Sequence, residues 1–473
     1  MKMAFLGGAY VGRSPNVAAN RLVNMYPEQV PEGGKEPAAL VNCPGLAYLY
    51  FLGVNTNIRS MFAASDGALY VVAGSTVYRI AKAFVSASVI GTISTGSGYV
   101  SIADNGVQLS FVDGVAGYTY NFATTVFAQI VDPDFPNGCK RIAYQDTYGV
   151  VISPGTQRFF ISGPGDFTTW NPLDFSSAEG DPDKAISLLV DHRELWIFGE
   201  DSTEVFYNSG NADFPFERIQ GGYMEVGCAA VNSVAKLDNS VFWLGKNKNG
   251  GAIVWRAVGY QPQRVSTHAI EFAIEQYGDV STAYAVTYQQ EGHAFYMLMF
   301  PSAGKTWVFD AATSLWHERA GFVNGQFAQY PISCHAYYGG KNLVGHISNG
   351  RVYSFDLANY AYDDQPRKCL RSWRMAHNET KNITCSELIV DGESGVGLPS
   401  GQGSDPQMML RVSKDGGHTF HVERISSFGK IGEFGRRAIW RRLGRGRDFV
   451  FEISVTDPVK VSLTGAYAKV KAT

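Results

Sequence analysis

Between Arg59 and Tyr360 the chain alternates short apolar runs, rich in β-branched and aromatic residues, with polar turns. The runs come in pairs: ALYVVAGSTVYRI from Ala68, VQLSFVDGVAGYTYNF from Val107, YGVVISPGTQRFFIS from Tyr148 and ELWIFGEDSTEVFYNSG from Glu194. Three more follow, SVFWLGKNKNGGAIVWRAVG from Ser240, HAFYMLMFPSAGKTWVFD from His293 and KNLVGHISNGRVYSFD from Lys341. Their starts lie 39, 41, 46, 46, 53 and 48 residues apart. That is the roughly 40 to 50 residue period of propeller blades, small sheets that bury their faces only by stacking into a ring. The pattern predicts a β-propeller of seven repeats, with six blades possible if one run belongs to an insertion. Asn249-Gly250-Gly251 and Asn349-Gly350 offer the positive φ that two-residue hairpin turns require.

One segment has helical periodicity. Ile270, Ala273, Ile274 and Tyr277 fall at i, i+3, i+4 and i+7, with Ser266 as the expected cap and Gly278 as the stop. It reads as a short helix inserted between two blades. After residue 365 the pattern changes: NITCSELIVDG, QMMLRVSKDGG, RDFVFEISVTD and VSLTGAYAKV are strand-like runs separated by loops, which predicts a β-sandwich. The expected division is an N-terminal segment, residues 1–58, that completes or braces the propeller, then a propeller at 59–365 and a sandwich at 366–473. The stretch from Asp391 to Gln407, rich in Gly, Ser and Pro, reads as an exposed excursion.

Charge sharpens this division. The net charge is −3, yet residues 366–473 hold 18 Lys and Arg against 11 Asp and Glu, so +7 there stands against −10 in the rest. The length of 473 residues, with 29 Phe and 25 Tyr, suits an all-β protein of more than one domain. No apolar run is long enough to span a membrane. The amino terminus MKMAFLGGAYVGR faintly imitates a signal peptide, but its apolar stretch is short and diluted by Gly7 and Gly8, so secretion is not expected. Six cysteines, at 43, 139, 228, 334, 369 and 385, lack CxxC or zinc spacing and read as buried reduced thiols.

Candidate chemistry is sparse. SKDGGHTF, from Ser413 to Phe420, fits a hairpin similar to the Asp box of sialidase-like propellers, in which Asp415 would bind its own turn and Phe420 would pack beneath it. Such a box is structural even in enzymes. His418 and His421 do not make a ligand set, Asp363-Asp364 reads as solvated surface, and no phosphate-binding loop or nucleophile elbow occurs. Neither catalytic, metal nor cofactor-binding residues are expected. The sharpest charged feature is GRRAIWRRLGRGR, where Arg436, Arg437, Arg441, Arg442, Arg445 and Arg447 surround Trp440. Guanidinium forks bind carboxylates and phosphates bidentately, so this stretch is a candidate for protein assembly or DNA contact. Strand alternation predicts that it divides its arginines between two surfaces.

Most of the chain resembles the tail hub or nozzle proteins of short-tailed bacteriophages, the packaged-DNA stabilisation family. The likeness lies in NRLVNMYPEQ at 20–29, NCPGLAYL at 42–49, FERIQGGYMEVGCAAVNSVAKLDNSVFWLG, VSTHAIEFAIEQYG, YQQEGHAFYMLMFP, TWVFDAATSLWHERAG and FGRRAIWRRLGRGRDFVFEISVTDPVKVSLTGAYAKV. The resemblance implies a virion tail protein, made in the host cytoplasm, that forms a hexameric ring below the portal and its head-to-tail adaptor. Such a ring extends the DNA channel, touches double-stranded DNA transiently, helps retain packaged DNA, anchors tailspikes or fibres and receives a needle or plug. No cofactor is implied. A net acidic propeller would suit such a conduit, since a wall that bound phosphates would retard ejection. The competing readings are a sialidase-like or polysaccharide-degrading enzyme and a generic propeller interaction module.

Overall fold

The structure is a computed structural model that describes every residue except 31–33, 35, 82, 83, 247–249, 364, 376–380 and 473. Seven antiparallel sheets form a closed ring of blades, and the seven sequence repeats are the second and third strands of each. In blade 1, for example, Leu69–Ala73 and Thr76–Ile80 are flanked by Ile58–Ala63 inside and Ala87–Thr92 outside. The central strands are apolar on both faces because each blade is covered by its two neighbours; His293–Phe300 in blade 6 is buried along its whole length. Blade 7 is completed from the other end of the chain, since Gly45–Phe51 pairs antiparallel with Arg351–Asp356. The ring shuts where Ser333 of blade 7 donates to the carbonyl of Ile58 in blade 1. The alternative of six blades is therefore set aside.

The hairpin turns lie elsewhere than the Asn-Gly pairs suggest. In blades 3 to 7 the first and second strands are joined by two residues that both have positive φ: Asp146-Thr147, His192-Arg193, Asp238-Asn239, Glu291-Gly292 and Gly339-Gly340. This is the hairpin geometry whose twist matches the strands. Four of the five pairs contain residues that carry a Cβ, which hides the signal in the sequence. Gly350, with φ +63°, belongs to a longer link at 347–350, and Asn249 lies outside the described residues.

The N-terminal segment forms a small two-stranded sheet of its own, Tyr10–Val11 with Ala19–Asn20, and is otherwise shared out among three larger sheets. Leu22–Val23 pairs in parallel with the outer strand of blade 6, Leu315–Arg319, and antiparallel with Cys369–Arg374 of the carboxyl-terminal region. Blade 6 thus continues into one sheet of the sandwich, giving nine strands in one ladder. The second sandwich sheet has the order Met25–Gln29, Ala38–Asn42, Ser462–Ala472, Ile383–Gly392, Ala438–Gly446. Trp373, Leu388, Leu410, Phe451 and Trp440 pack between the two sheets. The first residues join this core: Phe5 is buried edge-on against Trp373 at 4.8 Å, and the amide of Met3 donates to Ala466.

The single helix among the described residues, His268–Glu275, sits between blades 5 and 6 and buries Ala269, Ile270 and Ile274. Its cap is Thr267, not Ser266: Thr267 accepts from the amide of Ile270, while Ser266 turns inward to donate to Glu271 at 2.6 Å and to accept from Val254. All six cysteines are free and buried.

Candidate assembly surface

The arginine stretch forms the strand Ala438–Gly446, an edge of the five-stranded sandwich sheet. Trp440 points into the core, 2% exposed, with its indole N–H donating to the carbonyl of Arg424 at 3.0 Å. Arg436, Arg437, Arg441, Arg442, Arg445 and Arg447 are all exposed. The expected split between two faces fails because the ladder slips opposite Cys385 to Glu387 and Arg442 takes φ +58°. A bulge of this kind inserts an extra residue and re-aims the side chains beside it. Arg441 and Arg442 consequently both face solvent.

Two of the six are held locally. Arg441 donates to Glu387 at 2.8 Å, and Lys469 reaches the other oxygen of that carboxylate at 2.6 Å, so Lys469 and Arg441 together hold Glu387 below the usual carboxylate range. Arg437 lies 3.4 Å from Asp391. Arg436, Arg442, Arg445 and Arg447 make no ion pair among the described residues. Beside them runs Arg424–Ser427, the edge strand of the nine-stranded sheet. Three hydrogen bonds tie the two edges together: Trp440 to Arg424, Ile439 to Ser426 at 3.0 Å, and Arg424 to the carbonyl of Arg441 at 2.7 Å. This flank also exposes Val422, Ile425, Ile431 and Phe434, the last at 76%. Guanidinium groups among exposed apolar side chains are the composition of protein interfaces.

The other sequence candidates are structural. Asp415 closes its own turn, accepting from the amides of His418 and Thr419 and from the hydroxyls of Ser413 and Thr419, both at 2.6 Å. These donors hold its carboxyl well below the ordinary range. Phe420 stacks under the guanidinium of Arg411 at 4.9 Å. The Asp391 to Gln407 stretch is pinned rather than free: Leu398 bonds Gly403, Phe428 bonds Pro406 and Gly432 bonds Gly395, leaving Glu393 and residues 399–402 exposed. Asp363 accepts from Arg351 at 2.7 Å and Tyr353 at 2.6 Å, which corrects its reading as solvated surface; Asp364 lies outside the described residues.

The centre of the propeller is filled by its own arginines. Arg141 donates to the carbonyls of Val231 and Val234 and to Ser187, and Arg59 donates to Gly74, Thr95, Ser97 and Gly98. With their donors spent on backbone, these cations anchor loops rather than offer a carboxylate site. Cavities of about 210 and 650 Å³ remain beside them. No group of three or more metal-ligating side chains occurs among the described residues.

Two features of the surface and core escape sequence reading. The first is the junction of propeller and sandwich, where Asn24 is fully buried and donates to the carbonyls of Ala320 and Lys368, both at 2.9 Å. Nearby, Arg319 is enclosed by the rings of Tyr288, Phe295 and Phe355 and donates to the hydroxyl of Tyr288. Burial resists ionising Glu318, yet Arg21 at 2.9 Å and Lys305 at 3.0 Å outweigh it and hold the carboxyl below its usual range. The second is a concentration of acid: residues 170–226 hold 3 Lys and Arg against 12 Asp and Glu. A net −9 therefore sits on blade 4 and the adjoining edge of blade 3, a signal that charge counted by window would have found.

A closed propeller fused through a shared sheet to a sandwich with an exposed arginine edge defines a two-domain, all-β class of protein. The family models agree with that class along nearly the whole chain: "Bacteriophage P22 Gp10, beta-propeller" matches residues 1–360 and "Bacteriophage P22 Gp10, beta-sandwich" matches residues 368–471. The chain belongs to the bacteriophage P22 Gp10 family, a tail hub and DNA-stabilisation family of virion structural proteins. No curated protein sequence matches it. Similar solved structures include PorZ of the Porphyromonas gingivalis type-IX secretion system, at 10% identity and TM-score 0.38, covering 67% of this chain and 38% of that one. A chain of the Mitotic Checkpoint Complex is 10% identical with TM-score 0.41, covering 63% and 89%. The extracellular domain of the BT4673 one component system from B. thetaiotaomicron is 11% identical with TM-score 0.44, covering 88% and 59%. The chain spans less than half the length of PorZ.

Proposed function

We propose that this chain is the subunit of a hexameric hub or nozzle ring seated below the portal and its head-to-tail adaptor. The ring extends the DNA channel, touches double-stranded DNA in passage, helps retain the packaged genome, anchors tailspikes or fibres and receives a needle or plug. The observation that carries this reading is the match of both halves, in order, to the two domains of one tail hub family. The continuous sheet between blade 6 and the sandwich supports it physically, because a joint made of backbone ladder transmits load without a hinge. In a cyclic ring each modest contact is repeated, so avidity replaces single-site strength. No step of this role requires catalysis. The proposed organisation of the chain is a propeller at 59–365 and a sandwich at 366–473, with residues 1–58 a partly extended segment that completes or braces the propeller.

Arg436, Arg437, Arg441, Arg442, Arg445 and Arg447 are the proposed assembly or DNA contacts, with Trp440 as the buried anchor that positions their strand. The test is native mass spectrometry with negative-stain imaging of the purified chain, alone and with the portal and adaptor of the same phage. Hexameric rings, free or on the adaptor, are expected. A monomer that ignores the adaptor would sink the reading and make glycan hydrolysis the next assay.

A further inference from the structure

Between the outer strands of blades 3 and 4, Trp170–Ser177 and Phe216–Met224, lies an open groove of about 1060 Å³. Ser177, Glu179, Glu204, Glu217, Arg218 and Ile219 line it. Glu204 is buried and neutralised by Arg218 at 3.2 Å, whereas Glu179 and Glu217 are exposed at its mouth. Glu217 is oriented by the hydroxyls of Ser209 at 2.9 Å and Tyr207 at 3.2 Å and has no cation beside it among the described residues. Exposed Leu173 and Tyr207 stand on the same two blades. Of the charged residues in 170–226, Glu179, Glu204, Glu217 and Arg218 line this groove, a net −2.

Resting on the ring reading above, we propose that the arginine edge of one copy docks into this acidic groove of the next copy. Three observations converge on a second copy as the occupant. The exposed arginines without an ion pair among the described residues, Arg436, Arg442, Arg445 and Arg447, belong to the +7 region, and Glu179 and Glu217 stand exposed at the groove's mouth to receive them. A two-fold contact could also pair edge with groove reciprocally, so it is the ring reading that makes this contact heterologous. A heterologous contact between two different patches is what closes a ring. The groove and the edge cannot satisfy each other within a chain as it stands: the ion pairs of the edge stay inside the sandwich, Arg437 with Asp391 and Arg441 with Glu387. The apolar residues Ile425, Ile431 and Phe434 would be covered by the same contact, leaving the charges to set register and on-rate.

The test uses the full chain in two variants, Arg442→Glu with Arg445→Glu on the edge and Glu179→Lys with Glu217→Lys in the groove. Each is expected to melt like the wild type and to lose ring formation in native mass spectrometry. An equal mixture of the two pairs the unaltered edge with the unaltered groove and the reversed edge with the reversed groove, so it is expected to form rings in which the two variants alternate. Placing all four substitutions in one chain restores complementarity in the opposite sense and is expected to recover rings. Rings formed by either variant alone at wild-type concentrations, or a mixture that does not assemble, would overturn this contact while leaving the ring itself standing. A wild type that never assembles, alone or on the adaptor, would overturn the ring reading and this one with it.

Discussion

The hydroxyl of Tyr362 donates to Oδ1 of Asn24 at 3.1 Å, joining residues 338 positions apart at the seam between propeller and sandwich. The same oxygen accepts from the amide of Ala320 at 3.0 Å, and Asn24 sits fully buried at φ +58°. Removing the side chain strands several buried polar groups, each costing about 1–3 kcal/mol. Asn24→Ala is expected to destabilise by roughly 3–5 kcal/mol and Tyr362→Phe by about 1 kcal/mol. Denaturant unfolding of the two single variants and the double measures their coupling; strict additivity would show that the contact contributes nothing.

Gly45 opens the strand that closes blade 7, and a Cβ there would stand 2.3 Å from the carbonyl oxygen of Asn359 and 2.7 Å from that of Ala361. Both obstacles are backbone, so Gly45→Ala must move the strand. Hydrogen exchange should speed up in residues 45–51 and 351–356 while the middle blades stay protected. Unchanged protection there would mean that the seam tolerates the methyl group.

Arg441 and Arg442 are sequence neighbours with opposite expected effects on folding. Arg441→Glu sets a carboxylate against Glu387, which already depends on Arg441 and Lys469, and should lower the melting temperature. Arg442→Gly relieves the left-handed backbone at φ +58° and should raise it, by about 0.5–1 kcal/mol in stability. Calorimetry of both variants separates the residue that holds the sheet from the one that faces outward.

Acid should destabilise the fold through two half-buried histidines. Burial pushes His335 and His346 down to about 4, against an unfolded value near 6.5. The unfolded chain therefore takes up protons first: the contribution is complete above about pH 6.5 and is lost as pH falls toward 4. His293, raised by its 2.8 Å bond to Asp310, acts in the opposite sense, stabilising below its folded value. Replacing His335 and His346 together by Gln should flatten the decline in melting temperature between pH 6.5 and 4; an unaltered slope would assign it to other groups.

The family signatures become legible once their neighbours are known. In NRLVNMYPEQ, Arg21 pairs with Glu318 of TWVFDAATSLWHERAG, Val23 joins the same strand, and Asn24 holds the seam. In NCPGLAYL, Asn42 accepts from the amide of Val461 and Gly45 starts the closing strand. Their residue types alone do not announce these roles, because each partner lies hundreds of positions away. The arginine edge was visible as a motif, but the exposure of both Arg441 and Arg442 was not, since the bulge at Arg442 depends on the register against Cys385 to Glu387.

Local pattern by itself determined the blades, the strand-rich carboxyl-terminal region, the short helix and the split of charge. Strand alternation, helical periodicity and turn residues act over a few neighbours, and a repeat multiplies that signal seven times. Only the tertiary structure decided that residues 45–51 finish the last blade, that Leu22–Val23 fuses two domains into one sheet, and that acid and arginine occupy separate flanks. Those outcomes follow from unpaired sheet edges seeking any strand that can satisfy their backbone groups, however far away it lies in the chain.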